Sequence, residues 1–292
     1  MQGTILRGIG SYYYVLDEAG AVHQVRAQRK LRRERLKPKV GDRVTFTPGE
    51  GEEDGWIHAI LPRRSELVRP PVANIDAVVI AAAAAAPLPD LSMVDRLMVN
   101  ARRGHIEARL VITKCDLDEG LADAILRQYR GAECAPLKVS AVTGEGVDEL
   151  RQSLSGRVHA LAGQSGAGKS TLINALYGLE LETGGLSRRI DRGKNTTRSC
   201  ELIPVENGGM VLDTPGFSLL ETELFDPVEL PESYPEFAPY NGQCYFQPCY
   251  HASEPRCAVR AAVAAGDIDS ERHGRYVEIL NETRQRWRER YD

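Results

Sequence analysis

Gly163-Gln-Ser-Gly-Ala-Gly-Lys-Ser170 reads G-x-x-x-x-G-K-[ST], the pattern of a loop that cradles phosphate groups. Before it, Arg157-Val-His-Ala-Leu-Ala162 alternates like a short buried strand. After it, Thr171-Leu-Ile-Asn-Ala-Leu-Tyr177 spaces its apolar residues as a helix does. Strand, glycine loop and helix thus follow in the order that anion binding needs. Gly163, Gly166 and Gly168 let the backbone approach an anion without Cβ clashes. Main-chain N–H groups and the helix N-terminus then face the phosphates. Lys169 is expected to neutralise β- and γ-phosphate charge, and Ser170 to hold Mg²⁺. A plain glycine-rich turn would match the loop but not both flanks.

The 292 residues favour two or three domains, and 42% hydrophobic content suffices for a buried core. The net charge of −4 hides an asymmetry: residues 1–70 carry +4 and the remainder −8. The start, Met-Gln-Gly-Thr, lacks the basic region and apolar run of a secretory leader. The most apolar run, Ala77 to Ala86, falls far short of the roughly 20 residues of a membrane span. Three of the six cysteines crowd into residues 244–257, which reads as metal ligation sooner than as disulfides.

Residues 1–67 read as all-β. Thr4-Ile-Leu, Tyr12 to Leu16, Val22 to Val25, Val40 to Phe46 and Gly55 to Ile60 are short runs broken by turn residues. A small barrel of the OB type is expected. Its segment from Arg26 to Arg43 is the most basic in the chain, with a net charge of +7. Such a segment beside exposed aromatics suits RNA. A solvated loop is the alternative, and the acidity of the rest of the chain favours RNA. Arg63 to Pro71 reads as a linker.

Strands and helices then alternate. Ile75 to Ala85 is a strand buried on both faces, Leu91 to Arg103 a helix capped by Asp90, and Ala108 to Thr113 a strand. Leu121 to Arg130 is a helix, Pro136 to Ser140 a strand, and Val147 to Leu154 a helix. This alternation predicts a parallel sheet wrapped by helices.

Thr113-Lys-Cys-Asp116 closes its strand and resembles the N/T-K-x-D motif of GTPases. Asp116 can accept from both N1–H and the 2-amino group of guanine, a donor pair that adenine lacks. Lys114 would lay its stem along the base. Val139-Ser-Ala141 resembles the second base-contacting motif, which reads guanine O6 through a main-chain N–H. Thr113 stands where Asn is commoner, so the support of the phosphate loop from this side is expected to differ.

Past the loop, Gly193-Lys-Asn-Thr-Thr-Arg198 offers Thr196 or Thr197 to Mg²⁺ and the γ-phosphate, with Thr197 preferred. Ser199 to Val205 and Gly209 to Leu212 read as a hairpin around Asn207-Gly-Gly. It ends in Asp213-Thr-Pro-Gly216. There Asp213 would hold Mg²⁺ through water and the Gly216 N–H would contact the γ-phosphate. Ordinary GTPases place both base motifs after these switches, whereas here they come first. The pocket can still form, because strand ends on one edge of one sheet build it.

Cys244-x4-Cys249-x-His251-x5-Cys257 supplies three thiolates and an imidazole, a closed tetrahedral set suited to one structural Zn²⁺. Cys115, Cys134 and Cys200 fall in or near strands and read as small core residues. Residues 258–292 read as helical, with a basic tail.

Basic barrel, permuted nucleotide motifs and Cys₃His spacing together strongly resemble the ribosome small subunit-dependent GTPase A (RsgA, YjeQ/YloQ) family over nearly the whole chain. The resemblance implies three units: an OB fold over 1–67, a circularly permuted P-loop GTPase domain over 68–221, and a helical zinc-binding domain over 222–292. It implies Mg²⁺-dependent GTP hydrolysis stimulated by the small ribosomal subunit, contact with its rRNA, a role in its late maturation, and cytoplasmic location. A monomer is expected. By motif match, Gly163, Gln164, Ser165, Gly166, Ala167, Gly168, Lys169, Ser170 and Thr171 would carry the nucleotide with Thr113, Lys114, Cys115, Asp116, Ser140 and Ala141. Lys169, Ser170, Thr197, Asp213 and Gly216 would form the catalytic group, and Cys244, Cys249, His251 and Cys257 the zinc site.

Two positions depart from expectation. Asn195 stands where family members often carry a switch I His, and Asn cannot act as a general base. Phe217 stands where Ras-like GTPases carry a water-orienting Gln. Slow turnover in isolation is therefore expected. Gly166 replaces the Asn of potassium-dependent GTPases, so no strong K⁺ activation is expected. Two other functions compete. An ATP-using kinase conflicts with Asp116. A non-enzymatic RNA scaffold would bind nucleotide without subunit-stimulated phosphate release.

Overall fold

The computed structural model describes residues 1–33, 36–49, 53–67, 70–86, 88–132, 136–179, 200–213 and 224–291. The first five strands are β1 (Gln2–Ile9), β2 (Tyr12–Asp17), β3 (Val22–Ala27), β4 (Arg43–Thr47) and β5 (Gly55–Ile60), with a short helix α1 (Arg29–Arg33) between β3 and β4. They pair in the order β1-β2-β3-β5-β4, and β4 returns to β1. Closure removes the free edges that a five-stranded sheet would otherwise expose. Alternate residues point inward, so Ile5, Val15, Val25, Val44, Phe46 and Ile57 fill the barrel. The expected OB-type barrel is therefore present.

The segment expected to be a linker is built into the structure. β6 (Glu66–Leu67) pairs with β7 (Val72–Ala73). Arg63 grips the fully buried Asp42 with two hydrogen bonds, at 2.7 and 2.9 Å. Buried carboxylates need such partners, and none of this is visible in a run of Arg and Pro.

The central unit contains β8 (Ala77–Ala83), α2 (Leu91–Arg103), β9 (Glu107–Thr113), α3 (Glu119–Gln128), β10 (Leu137–Val139), α4 (Val147–Ser153), β11 (Val158–Gly163), α5 (Lys169–Tyr177), β12 (Glu201–Pro204) and β13 (Met210–Asp213). The strands run β10-β9-β8-β11-β13-β12, and all are parallel except β12. β8 is buried at every position, which is why it reads as an unbroken apolar run. Asp90 caps α2 by accepting from the Met93 N–H, as expected. Helix α3 begins two residues before its apolar pattern because Asp118 caps it there. β12 and β13 form the expected hairpin, and Cys115 packs in the core while Cys200 packs against it. Cys134 lies outside the described residues. One pairing, Arg7 with Glu201, joins β12 to β1, so a single sheet runs from the nucleotide unit into the barrel.

The C-terminal unit has two 3₁₀ turns, Pro227–Ser233 and Pro235–Tyr240, then α6 (Ala258–Ala265) and α7 (Ser270–Arg288). Leu230, Tyr234, Phe237, Tyr276 and Leu280 make its core, and Val99 of α2 joins them. Among the described residues no helix is long and apolar enough to cross a membrane.

Candidate nucleotide and metal sites

The parallel register puts the C-terminal ends of four strands on one edge. Ala83 lies opposite Thr113, Thr113 opposite Val139, and Ala81 opposite Gly163. The segments following β9, β10 and β11 are Thr113–Asp116, Ser140–Ala141 and Gly163–Ser170. Chain order is irrelevant to this juxtaposition, because strand adjacency sets it.

The phosphate loop has the backbone its glycines anticipated. Gly163 has φ 133°, and a Cβ there would collide with the Ala81 carbonyl of β8. Gly168 has φ 80° and starts α5, so the following N–H groups turn toward the loop interior. Lys169 is half-buried and donates to the Gly163 and Gln164 carbonyls, at 2.7 and 2.9 Å. Its ammonium is therefore folded across the loop, and burial pushes its pKa below the ordinary value. Ser170 and Thr171 follow in the first turn of α5.

Two bonds tie the Thr113–Asp116 segment to that loop. The buried Thr113 hydroxyl donates to the Ala167 carbonyl at 2.7 Å. Lys114 Nζ donates to the Gly166 carbonyl at 2.8 Å, from a residue with φ 57°. Thr thus supplies the support expected from the commoner Asn, through a shorter arm. Asp116 is exposed beyond them and available to a base, while Cys115 is buried beneath. The Ser140 hydroxyl accepts from the N–H groups of Val142 and Thr143, which shapes the turn carrying Ala141. On the other flank, Gln164 Oε1 accepts the Asp90 N–H at 3.0 Å. Single-residue patterns carry no signal for that contact.

Asp213 ends β13, beside β11. Its side chain lies outside the described residues. So do Asn195, Thr196, Thr197, Gly216 and Phe217.

Cys244, Cys249, His251 and Cys257 are brought together as their spacing predicts. One donor atom from each of Cys244, Cys249, His251 and Cys257 lies within 4.8 Å of the others, and all four residues are buried. Cys244 Sγ is 3.8 Å from Cys257 Sγ, and His251 Nδ1 is 3.6 and 3.3 Å from those sulfurs. Thiolates about 2.3 Å from a tetrahedral ion stand roughly 3.8 Å apart, so the spacing fits a metal ion. Burial pushes the Cys249 thiol up to about 12 and the His251 imidazole below its ordinary value. Such thiols ionise only against a cation. The Ala258 and Arg260 N–H groups point at Cys244 and Cys257 sulfurs, and His273 bonds the His251 carbonyl at 2.8 Å. These are the outer contacts that orient ligands.

A charged cluster that the sequence did not disclose joins the C-terminal unit to α2. Asp95 is 1% exposed and receives Arg272 Nη1 and Arg275 Nε, each at 2.5 Å. Arg272 also binds Glu236 and lies over the Tyr129 ring. The only sequence signal was an Asp on the apolar face of α2.

Residues 60–223 match the RsgA GTPase family model, and residues 2–57 match the RsgA N-terminal domain. The chain belongs to the RsgA GTPase family. It is 43% identical over 290 residues to the small ribosomal subunit biogenesis GTPase RsgA of Geobacillus thermodenitrificans, covering 98% of each chain. It is 40% identical over 293 residues to the protein of that name from Caldanaerobacter subterraneus, covering 100% of this chain and 98% of the relative. The crystal structure of YjeQ from Thermotoga maritima superposes with a TM-score of 0.82 at 34% identity, covering 97% and 98% of the two chains. YloQ, described as a circularly permuted GTPase, gives 0.79 at 32% identity, covering 98% and 95%. The permuted RsgA-type motif order therefore sits on the matching fold, and the chain is an RsgA-family GTPase.

Proposed function

We propose that this chain hydrolyses GTP on the small ribosomal subunit during its late maturation, and that the subunit stimulates the reaction. The observation that carries this is the pair of bonds from Thr113 and Lys114 to the phosphate loop. They support this reading because they hold the Thr113–Asp116 segment, with Asp116 as the proposed guanine reader, against the glycine loop. Gly163–Thr171 hold the phosphates, Lys169 swings from its loop carbonyls to the β- and γ-oxygens, and Ser170, Thr197 and Asp213 hold Mg²⁺. The Gly216 N–H contacts the γ-phosphate. Cys115, Ser140 and Ala141 complete the base pocket.

The barrel over 1–67 meets rRNA. Its outer face supports this: Arg26 lies 4.4 Å over the Tyr12 ring and opposite the exposed Trp56. Arg29, Lys37 and Arg43 are exposed around it. Residues 68–221 form the GTPase unit. Residues 222–292 form the third unit, whose Cys₃His set takes structural Zn²⁺ because all four ligands come from protein. The protein works as a cytoplasmic monomer. Asn195 and Phe217 leave water poorly oriented in isolation, so the subunit supplies or orders the missing group.

Phosphate release from GTP and from ATP, with and without purified small subunits, tests this. GTP-only release that rises strongly with subunits is expected. Tight GTP binding without stimulation would support a nucleotide-stabilised RNA scaffold, with Asn195 as the lost position.

A further inference from the structure

We propose that Tyr245 and Phe246, carried on the metal loop, form a stacking site for unpaired bases of single-stranded RNA. The two side chains directly follow Cys244 and are 65% and 48% exposed. Their rings meet edge to face, with centroids 4.9 Å apart. A single exposed aromatic needs no explanation, but an adjacent pair turned away from its own core does.

The pair stands on a rigid base. Cys244 and Cys249 flank it, and both belong to the metal-ligand set. The Tyr245 N–H donates to the Arg256 carbonyl at 3.2 Å. The Arg256 guanidinium lies 4.8 Å over the Tyr245 ring. Rings held in this way lose little freedom when a base lands on them.

Local charge selects the occupant. Glu254 is the only acidic residue from 244 to 260. Its carboxylate folds back to accept from the N–H groups of Tyr250, Ala252 and Ser253. Arg256 and Arg260 remain exposed. The ring surface that Tyr245 and Phe246 leave exposed beside guanidinium groups matches the base and phosphate of an unpaired nucleotide. A duplex offers no such base face except at its ends. This site is separate from the barrel surface, and it rests on the RNA partner proposed above.

The test uses the full-length protein, as wild type, Tyr245→Ala/Phe246→Ala and the ring-preserving Tyr245→Phe/Phe246→Tyr. Each is titrated with a single-stranded oligoribonucleotide containing 4-thiouridine and with purified small subunits, with bound zinc and GTP affinity measured in parallel. The double alanine variant should keep zinc and GTP affinity and lose about tenfold in oligoribonucleotide affinity. The ring-preserving variant should bind as wild type does, and photocross-links on wild type should map to residues 244–249. Unchanged oligoribonucleotide affinity, or cross-links confined to the barrel, would overturn the site while leaving subunit binding by wild type intact. Loss of subunit binding with oligoribonucleotide binding retained would make the partner a protein and also overturn it. If the alanine variant loses zinc, the wild-type cross-link map decides. Wild type that binds neither probe would defeat the RNA partner itself, and this site with it.

Discussion

The Thr113 hydroxyl at the end of β9 donates to the Ala167 carbonyl inside the phosphate loop, 2.7 Å away and 54 residues later in the chain. The segment proposed to read the base is thereby tied to the segment proposed to hold phosphate. Thr113→Val would leave that carbonyl unpaired in a buried place, a loss of about 1–3 kcal/mol. GTP affinity should fall roughly tenfold, and Thr113→Ser should restore it. Titration with a fluorescent GTP analogue checks both.

Asp116 stands exposed beyond that bond, with its carboxylate free to meet two donors. Asp116→Asn exchanges one acceptor oxygen for a donor. Xanthine carries a carbonyl where guanine carries its 2-amino group, so the variant should prefer it. GTP affinity should drop by about two orders of magnitude, in line with about 3 kcal/mol for a mismatched polar pair. Competition between GTP, XTP and ATP measures the switch, and unchanged GTP preference would remove Asp116 from the base pocket.

His159, on the strand leading into the phosphate loop, is completely buried and bonds Tyr177 at the end of α5. Burial pushes its pKa down to about 4. The imidazole stays neutral in the folded protein and takes up a proton on unfolding at mildly acid pH. The unfolded chain thus binds more protons between about pH 6.5 and 4, so stability falls as pH drops through that window, by roughly 3 kcal/mol in all. Urea unfolding midpoints from pH 7 to pH 4 should show the slope, and His159→Gln should flatten it.

Arg272 is 4% exposed and shares Asp95 with Arg275. Arg272→Met leaves Glu236 without its partner and Asp95 with one guanidinium fewer. Breaking a buried pair from one side costs about 3–5 kcal/mol. Thermal unfolding of the variant should begin with the C-terminal unit, while GTP binding at low temperature persists. A single cooperative transition at the wild-type temperature would show that the cluster contributes little.

Removal of metal should act on the same unit. The core around Phe237 and Tyr276 packs directly against the Cys244–Cys257 loop, with the Phe237 ring edge-on to His251 at 5.7 Å. Chelation or Cys257→Ser should therefore lower the melting temperature and loosen near-ultraviolet dichroism, with the barrel unaffected. Metal content measured alongside the melting curves ties the two together.

Much of the site was legible because its chemistry is local. Glycines at 163, 166 and 168 and a Lys at 169 make a phosphate loop wherever a strand precedes and a helix follows. The quartet from Cys244 to Cys257 spans so few residues that loop closure alone brings the donors near one another. Short runs broken by turn residues likewise disclosed the barrel, and the unbroken apolar run disclosed β8. Three features were not legible: the Arg63–Asp42 pair, the Gln164–Asp90 contact and the Asp95–Arg272–Arg275 cluster. Each joins side chains from distant segments, and each residue taken alone resembles an ordinary surface charge or amide.

The sequence by itself determined the parts from which the proposed site is built: glycine loop, Thr113–Asp116 segment, Cys/His quartet and basic barrel, each encoded within a short stretch of chain. The tertiary structure decided how those parts bear on one another. Parallel strand pairing carries motifs that come before the phosphate loop to the same edge as the loop. One β1–β12 pairing fuses the barrel to the sheet, and one buried carboxylate seats the C-terminal unit on α2. Such couplings depend on which distant residues are brought into contact, and contact across many residues is set by packing of the whole chain and not by any local preference.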